Sequence, residues 1–255
     1  MIFETHAHYD DEAFDDDRGQ LLKCLKDHDI GRVVNVCSDL KSLTTTECLM
    51  DKYPFIYGAF GLHPDEVGDL NKKVMDRIHC LAGKEKTVAV GEIGLDYYWN
   101  REHHENQVYW FERQMELARQ EKLPIIVHSR DAAADTLDSM KKLKAGDIGG
   151  VLHCFSYSRE MAREYLNMGL YLGIGGVVTF KNGRKMKEVV EYAPLDQILV
   201  ETDSPYLAPE PNRGKRNSSL NLPYIVQMIA DIKHVDYDEV IQVTEKNAEN
   251  LFLRG

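Results

Sequence analysis

The sequence predicts an α/β fold, a (β/α)8 TIM barrel, on three observations. Short β-branched runs alternate with longer amphipathic stretches along the whole chain, which implies parallel βαβ units. The runs number eight, and 255 residues match the about 250 that eight such units occupy. Finally, the side chains best suited to hold a metal stand where those runs end, on the face where such a barrel keeps its chemistry.

The elements follow in order. "MIFETH" is the first strand, and alternation sends His6 and the adjoining His8 to one side, beside Glu4. The acidic run "YDDEAFDDDRG" then leads into the helix "RGQLLKCLKDHD", its carboxylates being ordinary capping and dipole partners of a helix start. "RVVNVCS" and "FIYGAFGLH" are strands two and three, the latter ending at His63. "TVAVGEIGL" is strand four, with Val88, Val90 and Glu92 on one face. His103 and His104 open a solvated helix that continues through "ENQVYWFERQMELARQEK". "PIIVHS" pairs Ile126 with His128, and "GGVLHCF" pairs Val151 with His153. The helix "SREMAREYLNM" precedes strand seven, "LYLGIGG". Strand eight, "QILVETD", aligns Leu199, Glu201 and Asp203. No Pro-, Gly- or Ser-rich linker, internal repeat or low-complexity tract divides the chain, so residues 1–255 are expected to form one domain.

Composition narrows the setting. Hydrophobic residues at 43% supply a substantial core. The five cysteines, Cys24, Cys37, Cys48, Cys80 and Cys154, are scattered and never spaced as CxxC, which suggests neither a disulfide framework nor a zinc ribbon and fits a reducing compartment. No charged-then-apolar leader precedes Ile2, and "LYLGIGGVVTF" falls short of the roughly 18 apolar residues a membrane span needs, so a cytoplasmic protein without membrane contact is expected. Nothing calls for an obligate protein partner.

Six candidate ligands, His6, His8, Glu92, His128, His153 and Asp203, end five different strands. Any one of these histidines alone reads equally well as a core or cap residue. Together they would meet at the barrel mouth, where the carboxylates would repel unless cations held them. Four imidazoles and two carboxylates suffice for two divalent ions if one carboxylate bridges, an arrangement that activates water for a displacement and so reads as a hydrolase. Glu201 would lie below Asp203 as support for the ligands. Cys154 should point away as a small buried side chain.

A formal charge of −11 argues against nucleic-acid binding by global attraction. The predicted mouth is nonetheless basic, with Lys181, Arg184, Lys185 and Lys187 after strand seven and Arg213, Lys215 and Arg216 after strand eight. Arg130 follows His128 on the same parity and is the stronger phosphate candidate. Aromatic residues capable of stacking unpaired bases lie nearby: Tyr97, Tyr98 and Trp99, then Phe155 and Tyr157, then Phe180 and Tyr206.

In chain order, "ETHAH", "GLHP", "GEIGLDYY", "LPIIVHSRDA", "HCF" and "ETDSPYL" resemble the TatD family of metal-dependent deoxyribonucleases, among the amidohydrolase-like barrels. The likeness runs nearly end to end and includes Gln107, Phe111, Gln114 and Leu117 in the helix before strand five. It implies a TIM barrel of the metal-dependent hydrolase type, with the six residues above as ligands of two divalent ions, Glu92 the bridge and Asp203 also the general base. It further implies His63 and Arg130 as substrate contacts, to which the residue pattern adds Tyr97 and Arg216. Imidazole-rich ligands suit zinc, nickel or cobalt, while the family implies magnesium or manganese in function. The expected activity is a deoxyribonuclease, a 3′-5′ exonuclease on single-stranded DNA or ends. The alternative is a small-molecule hydrolase of amides, lactones or phosphoesters, against which Glu92 weighs where several related barrels carry a modified lysine. One departure concerns the loop after strand eight, where the family reads Arg-Asn-Glu-Pro and this chain has Arg216, Asn217, Ser218 and Ser219.

Overall fold

The computed structural model describes residues 1–99 and 104–253. All eight expected strands form: β1 (Ile2–Ala7), β2 (Ile30–Val36), β3 (Ile56–Ala59), β4 (Thr87–Asp96), β5 (Ile125–Arg130), β6 (Gly150–Leu152), β7 (Tyr171–Ile174) and β8 (Ile198–Val200). They pair in parallel in sequence order. The last strand meets the first through Asp203 N–H donating to His6 O at 3.0 Å and His8 N–H to Ser204 O at 2.8 Å, beside a bridge between Ala7 and Ser204. The α/β TIM barrel is therefore the observed fold.

Helices fill the connections: α1 (Arg18–Cys24), α2 (Ser42–Lys52), α3 (Lys72–Ala82), α4 (His104–Glu121), α5 (Ala133–Lys142), the short α6 (Ala145–Ile148), α7 (Arg159–Asn167), α8 (Arg184–Tyr192), α9 (Leu222–Lys233) and α10 (Tyr237–Phe252). Their N-termini are locally encoded, as where Ser158 accepts Met161 N–H before α7 and Asn71 accepts Val74 N–H before α3. Among the described residues, no helix is long and apolar enough to cross a membrane.

Alternating residues divide two cores. Inside the strands pack Phe3, Val34, Val36, Ala59, Val88, Ala89, Ile126, Val151 and Leu199, with Leu251 and Phe252 of α10 closing the floor. Ile125, Val127, Leu172, Ile174, Ile198 and Val200 face the helices in the larger outer layer. Ile126, Val151 and Leu199 are thus the inward residues beneath His128, His153 and Asp203, as alternation requires. Strand β4 departs from it: Val90 joins the outer layer, and the register shifts between Val90 and Ile93. The Glu92 amide then donates to Cys37 O at 2.9 Å, so an irregular ladder sets Glu92.

Candidate metal centre at the barrel mouth

Two strand ends explain how the donors turn toward one another. β6 and β8 stop at Leu152 and Val200, short of the expected runs, and Cys154 and Asp203 take left-handed backbone with φ of 44° and 57°. That region is rare for most residues and tolerated by Asp, and it ends the ladder while re-aiming the side chains. Cys154 therefore does not keep strand parity: its thiol lies within 4.8 Å of donor atoms of His153 and Asp203. Its amide donates to Glu201 Oε1 at 2.5 Å.

His6 and His8 do converge, with Nε2 atoms 3.1 Å apart. Glu92 Oε2 lies 3.4 Å from His6 Nε2 and 3.7 Å from His8 Nε2, and Asp203 Oδ1 lies 3.8 Å and 3.4 Å from the same two atoms. Four donors around one ion at about 2.1 Å in tetrahedral array stand roughly 3.4 Å apart. The cluster has those dimensions. His8 Nδ1 faces Val36 O at 2.8 Å and carries a proton there; burial opposes charge on the ring, but Asp203 and Glu92 push it up to about 10, so a cation held at Nε2 must displace the second proton. His153 has its Nδ1 3.0 Å from Glu201 Oε1 and its Nε2 3.6 Å from Glu92 Oε1 and 3.7 Å from Asp203 Oδ1, and against burial these carboxylates push it up to about 9. Its ring stacks on His6 at 3.5 Å. Imidazoles and carboxylates converging in a buried space fit a divalent cation, which would take the place of the imidazole protons.

Glu201 thus acts behind His153, and Gly173 on β7 makes room for it, since a Cβ there would run into the Glu201 carboxylate. Glu4 behaves otherwise than expected. Its carboxylate accepts His6 N–H at 3.3 Å, Thr202 N–H at 2.9 Å and Thr202 Oγ1–H at 2.7 Å, tying β1 to the segment after β8 instead of joining the imidazoles. Burial pushes it up to about 8 against the pull of those donors.

The second cluster lies over β3, β4 and β5. Glu92 Oε1 is 2.8 Å from His128 Nδ1, whose Nε2 is 3.0 Å from Asp96 Oδ2. Burial opposes charge on this ring, yet the two carboxylates outweigh it and push His128 up to about 9. A cation ligated by His128 must displace that proton. His63 Nε2 lies 3.9 Å from Glu92 Oε1, but its Nδ1 accepts Asp65 N–H at 3.2 Å, so the neutral ring carries its proton on Nε2. Burial and the neighbouring His128 hold it down at about 3, so it stays neutral. His63 hence offers the mouth a neutral N–H, where His8 and His153 must give up a proton to hold a cation.

The residue missed in the sequence is Asp96. Its signal was the acid closing strand four in "GLDYY", which reads locally as an ordinary turn residue. Helix α4 supports this side from behind: Gln107 accepts Asp96 N–H at 2.9 Å and donates to Asp96 O at 3.0 Å, and Gln114 does the same for Leu62, beside His63, at 2.8 Å and 3.2 Å.

The substrate candidates separate. Arg130 is exposed at the mouth. Tyr97 donates to Asp135 at 2.7 Å and stacks on His104 at 3.5 Å, so His104 is half-buried and not solvated; His103 lies outside the described residues. Arg216 grips Asp17 at 2.6 and 2.8 Å. The acidic run therefore serves partly as capping, with Asp11 accepting Ala13 N–H, and partly as a partner for arginine. Arg184 pairs with Glu188, and with Lys181 and Lys187 it lines a groove beside Ile232 and His234 without joining the clusters. Asn217 and Ser219, in the divergent loop, are buried and bonded: Asn217 Nδ2 donates to Thr202 O and Tyr206 O, and Ser219 Oγ accepts the Tyr9 hydroxyl.

Known proteins resemble the chain along its whole length. A family model described as "TatD related DNase" matches residues 3–253. A Bacillus subtilis (strain 168) protein named an uncharacterized metal-dependent hydrolase, YabD, is 41% identical over 252 residues, covering 99% of each chain. A Cronobacter sakazakii protein named 3′-5′ ssDNA/RNA exonuclease TatD is 30% identical over 260 residues, covering 100% of this chain and 98% of its own. The crystal structure of YJJV, a TatD homologue from Escherichia coli K12, superposes with a TM-score of 0.93 at 26% identity, covering 100% of this chain and 98% of that one.

Proposed function

This chain belongs to the TatD-related DNase family of metal-dependent hydrolases, and from that premise we propose that it is an exonuclease that hydrolyses single-stranded DNA from the 3′ end at a two-metal centre. The observation that carries this reading is Glu92, whose Oε2 faces His6 and His8 while its Oε1 faces His128 and His153. A carboxylate so placed can bridge two cations. His6, His8, Glu92 and Asp203 would hold one ion in this reading, and Glu92, His128 and His153 the other. Such ions would supply Lewis-acid activation of the phosphodiester and of the attacking water. Magnesium or manganese suits that reaction, and zinc, nickel or cobalt suits the imidazole-rich donors.

The chain's own groups do the rest. Burial opposes ionisation of Asp203, but His153, His8 and His6 overcome it and hold the carboxyl below its ordinary value, so it is ionised at neutral pH and takes the proton of the attacking water. His63 Nε2–H donates to a phosphate oxygen, and Arg130 holds the backbone. His6, His8, Glu92 and His153 are buried inside the ring of strands and His128 and Asp203 partly so, and the phosphodiester must enter the mouth to reach them. A flexible single-stranded end does so more readily than a stiff duplex.

The test is time-resolved cleavage of a 5′-labelled single-stranded oligonucleotide by metal-stripped protein resupplied with magnesium, manganese or zinc. The expected result is a ladder shortening from the 3′ end, absent with Asp203→Ala. An intact oligonucleotide, with turnover of a small ester, lactone or phosphotriester panel instead, would make the protein a small-molecule hydrolase.

A further inference from the structure

Just past β4, an aromatic pair stands outside both clusters yet is fixed by a residue that touches one of them. Asp96 Oδ1 accepts the backbone N–H groups of Tyr98 at 2.8 Å and Trp99 at 3.0 Å, while Oδ2 faces His128. Tyr98 is 41% exposed and Trp99 67%, the highest value among the large hydrophobic side chains described. The rings meet edge to face, with centroids 4.7 Å apart at 89°. The Arg130 guanidinium lies 4.0 Å from the Tyr98 centroid and 5.6 Å from that of Trp99. Among the described residues no carboxylate pairs with Arg130. An indole held in water at the rim of a reaction site contributes nothing to the core, and its flat face together with an unpaired cation matches the alternation of base and phosphate along a nucleic-acid strand.

We infer that Trp99, with Tyr98 and Arg130, forms a stacking subsite for an unpaired nucleobase of the substrate strand, the guanidinium holding the adjoining phosphate; this rests on the nuclease reading of the mouth. Bases within a duplex are already stacked on both faces, so the subsite selects single strands and frayed ends. Stacking reads neither base edges nor the 2′-hydroxyl, so it accepts DNA and RNA alike and shows little sequence preference. Because Asp96 positions both the aromatic pair and His128, a base docked on Trp99 is placed in register with the cluster beside it.

Binding of a fluorescein-labelled single strand, and of the corresponding duplex, is measured by anisotropy with metal-stripped full-length protein, so that no strand is cut. Trp99→Leu is expected to raise the Kd for the single strand about tenfold and leave that for the duplex unmoved. Trp99→Phe, which keeps an aromatic face, retains most of the affinity, and circular dichroism checks the fold of both variants. An abasic site in the strand should reproduce the loss. With metal restored, Trp99→Leu raises KM for the oligonucleotide more than it lowers kcat. Unchanged single-strand binding by Trp99→Leu, or equal losses on both nucleic acids, would overturn the subsite while oligonucleotide shortening by the wild type upheld the nuclease. A wild type that neither bound nor shortened single strands would overturn both.

Discussion

The two sides of the mouth are built in opposite ways. Around β1 and β8 the donors hang from a buried polar scaffold: Glu4 joins His6 to Thr202, Asn217 fastens the carbonyls of Thr202 and Tyr206, and Tyr9 exchanges hydrogen bonds with Ser219. Around β3 to β5, the side chains of His63 and His128 keep 17% and 18% exposure, and Trp99 stands in water. The closed side fixes charge where desolvation makes each interaction strong. The open side carries the donors and faces that a substrate would meet. A buried donor left unpaired loses its full solvation, whereas an exposed one returns to water, so equal substitutions on the two sides should have unequal effects.

The largest effect is expected at Asp203, which belongs to the closed side and faces His6, His8 and His153. Asp203→Ala should lower kcat by about 10^3-fold or more, combining loss of a ligand and of the general base. It should also reduce the rise in Tm that divalent metal gives the wild type. Retained hydrolysis together with retained metal stabilisation would remove Asp203 from the centre. Glu4→Ala comes next, although Glu4 touches neither substrate nor metal in this scheme. It strands two donors, His6 N and Thr202 N, while the Thr202 hydroxyl keeps Ser204 Oγ, and should reduce stability by about 3 kcal/mol, on the order of 10 °C in Tm. A change of less than a degree or two in calorimetry would show that this scaffold relaxes easily and that the closed side is not rigid.

Asp96, itself 1% exposed, lies beneath the open side, and Asp96→Asn tests whether that side's tolerance extends to a buried support. The amide keeps an oxygen for the N–H groups of Tyr98 and Trp99 but removes the charge beside His128. Metal affinity should fall about tenfold, within the range for residues that orient ligands, while Tm of the metal-free protein moves little. A collapse of the fold, seen by circular dichroism, would place Asp96 with the closed side.

The contrast also accounts for what the sequence could disclose. Strands and helices were legible because their periods are local, and the meeting of His6, His8, Glu92, His128, His153 and Asp203 was legible because parallel strands closed into a barrel bring their C-terminal ends together. Asp96 was not, since a carboxylate closing a strand before two aromatics looks like any turn residue until its partner on β5 is known. Cys154 and Glu4 were placed by strict alternation, which fails where a left-handed residue ends β6 and where the β1 register shifts between Glu4 and Ala7. Tyr97 and Arg216 looked free for substrate because their partners, Asp135 and Asp17, lie far along the chain.

Arg216 supplies the smallest effect and the sharpest test of where the open side ends. It stands at the mouth by sequence, yet its guanidinium makes a two-pronged contact with Asp17, donates to Ala13 O at 2.7 Å and lies 4.8 Å from the Phe14 ring centroid. Its side chain is 36% exposed and that of Asp17 40%, so solvent and salt screen the pair. Arg216→Ala should therefore reduce stability by less than about 1 kcal/mol, and a double-mutant cycle with Asp17→Ala should return a coupling of similar size that fades at high salt. The oligonucleotide KM should change by less than about twofold, because a guanidinium already matched to a carboxylate gains little by exchanging it for a phosphate. A tenfold rise in KM with an unaltered Tm would mean that Arg216 leaves Asp17 to grip the strand, and the loop after β8 would then belong to the substrate face of the mouth.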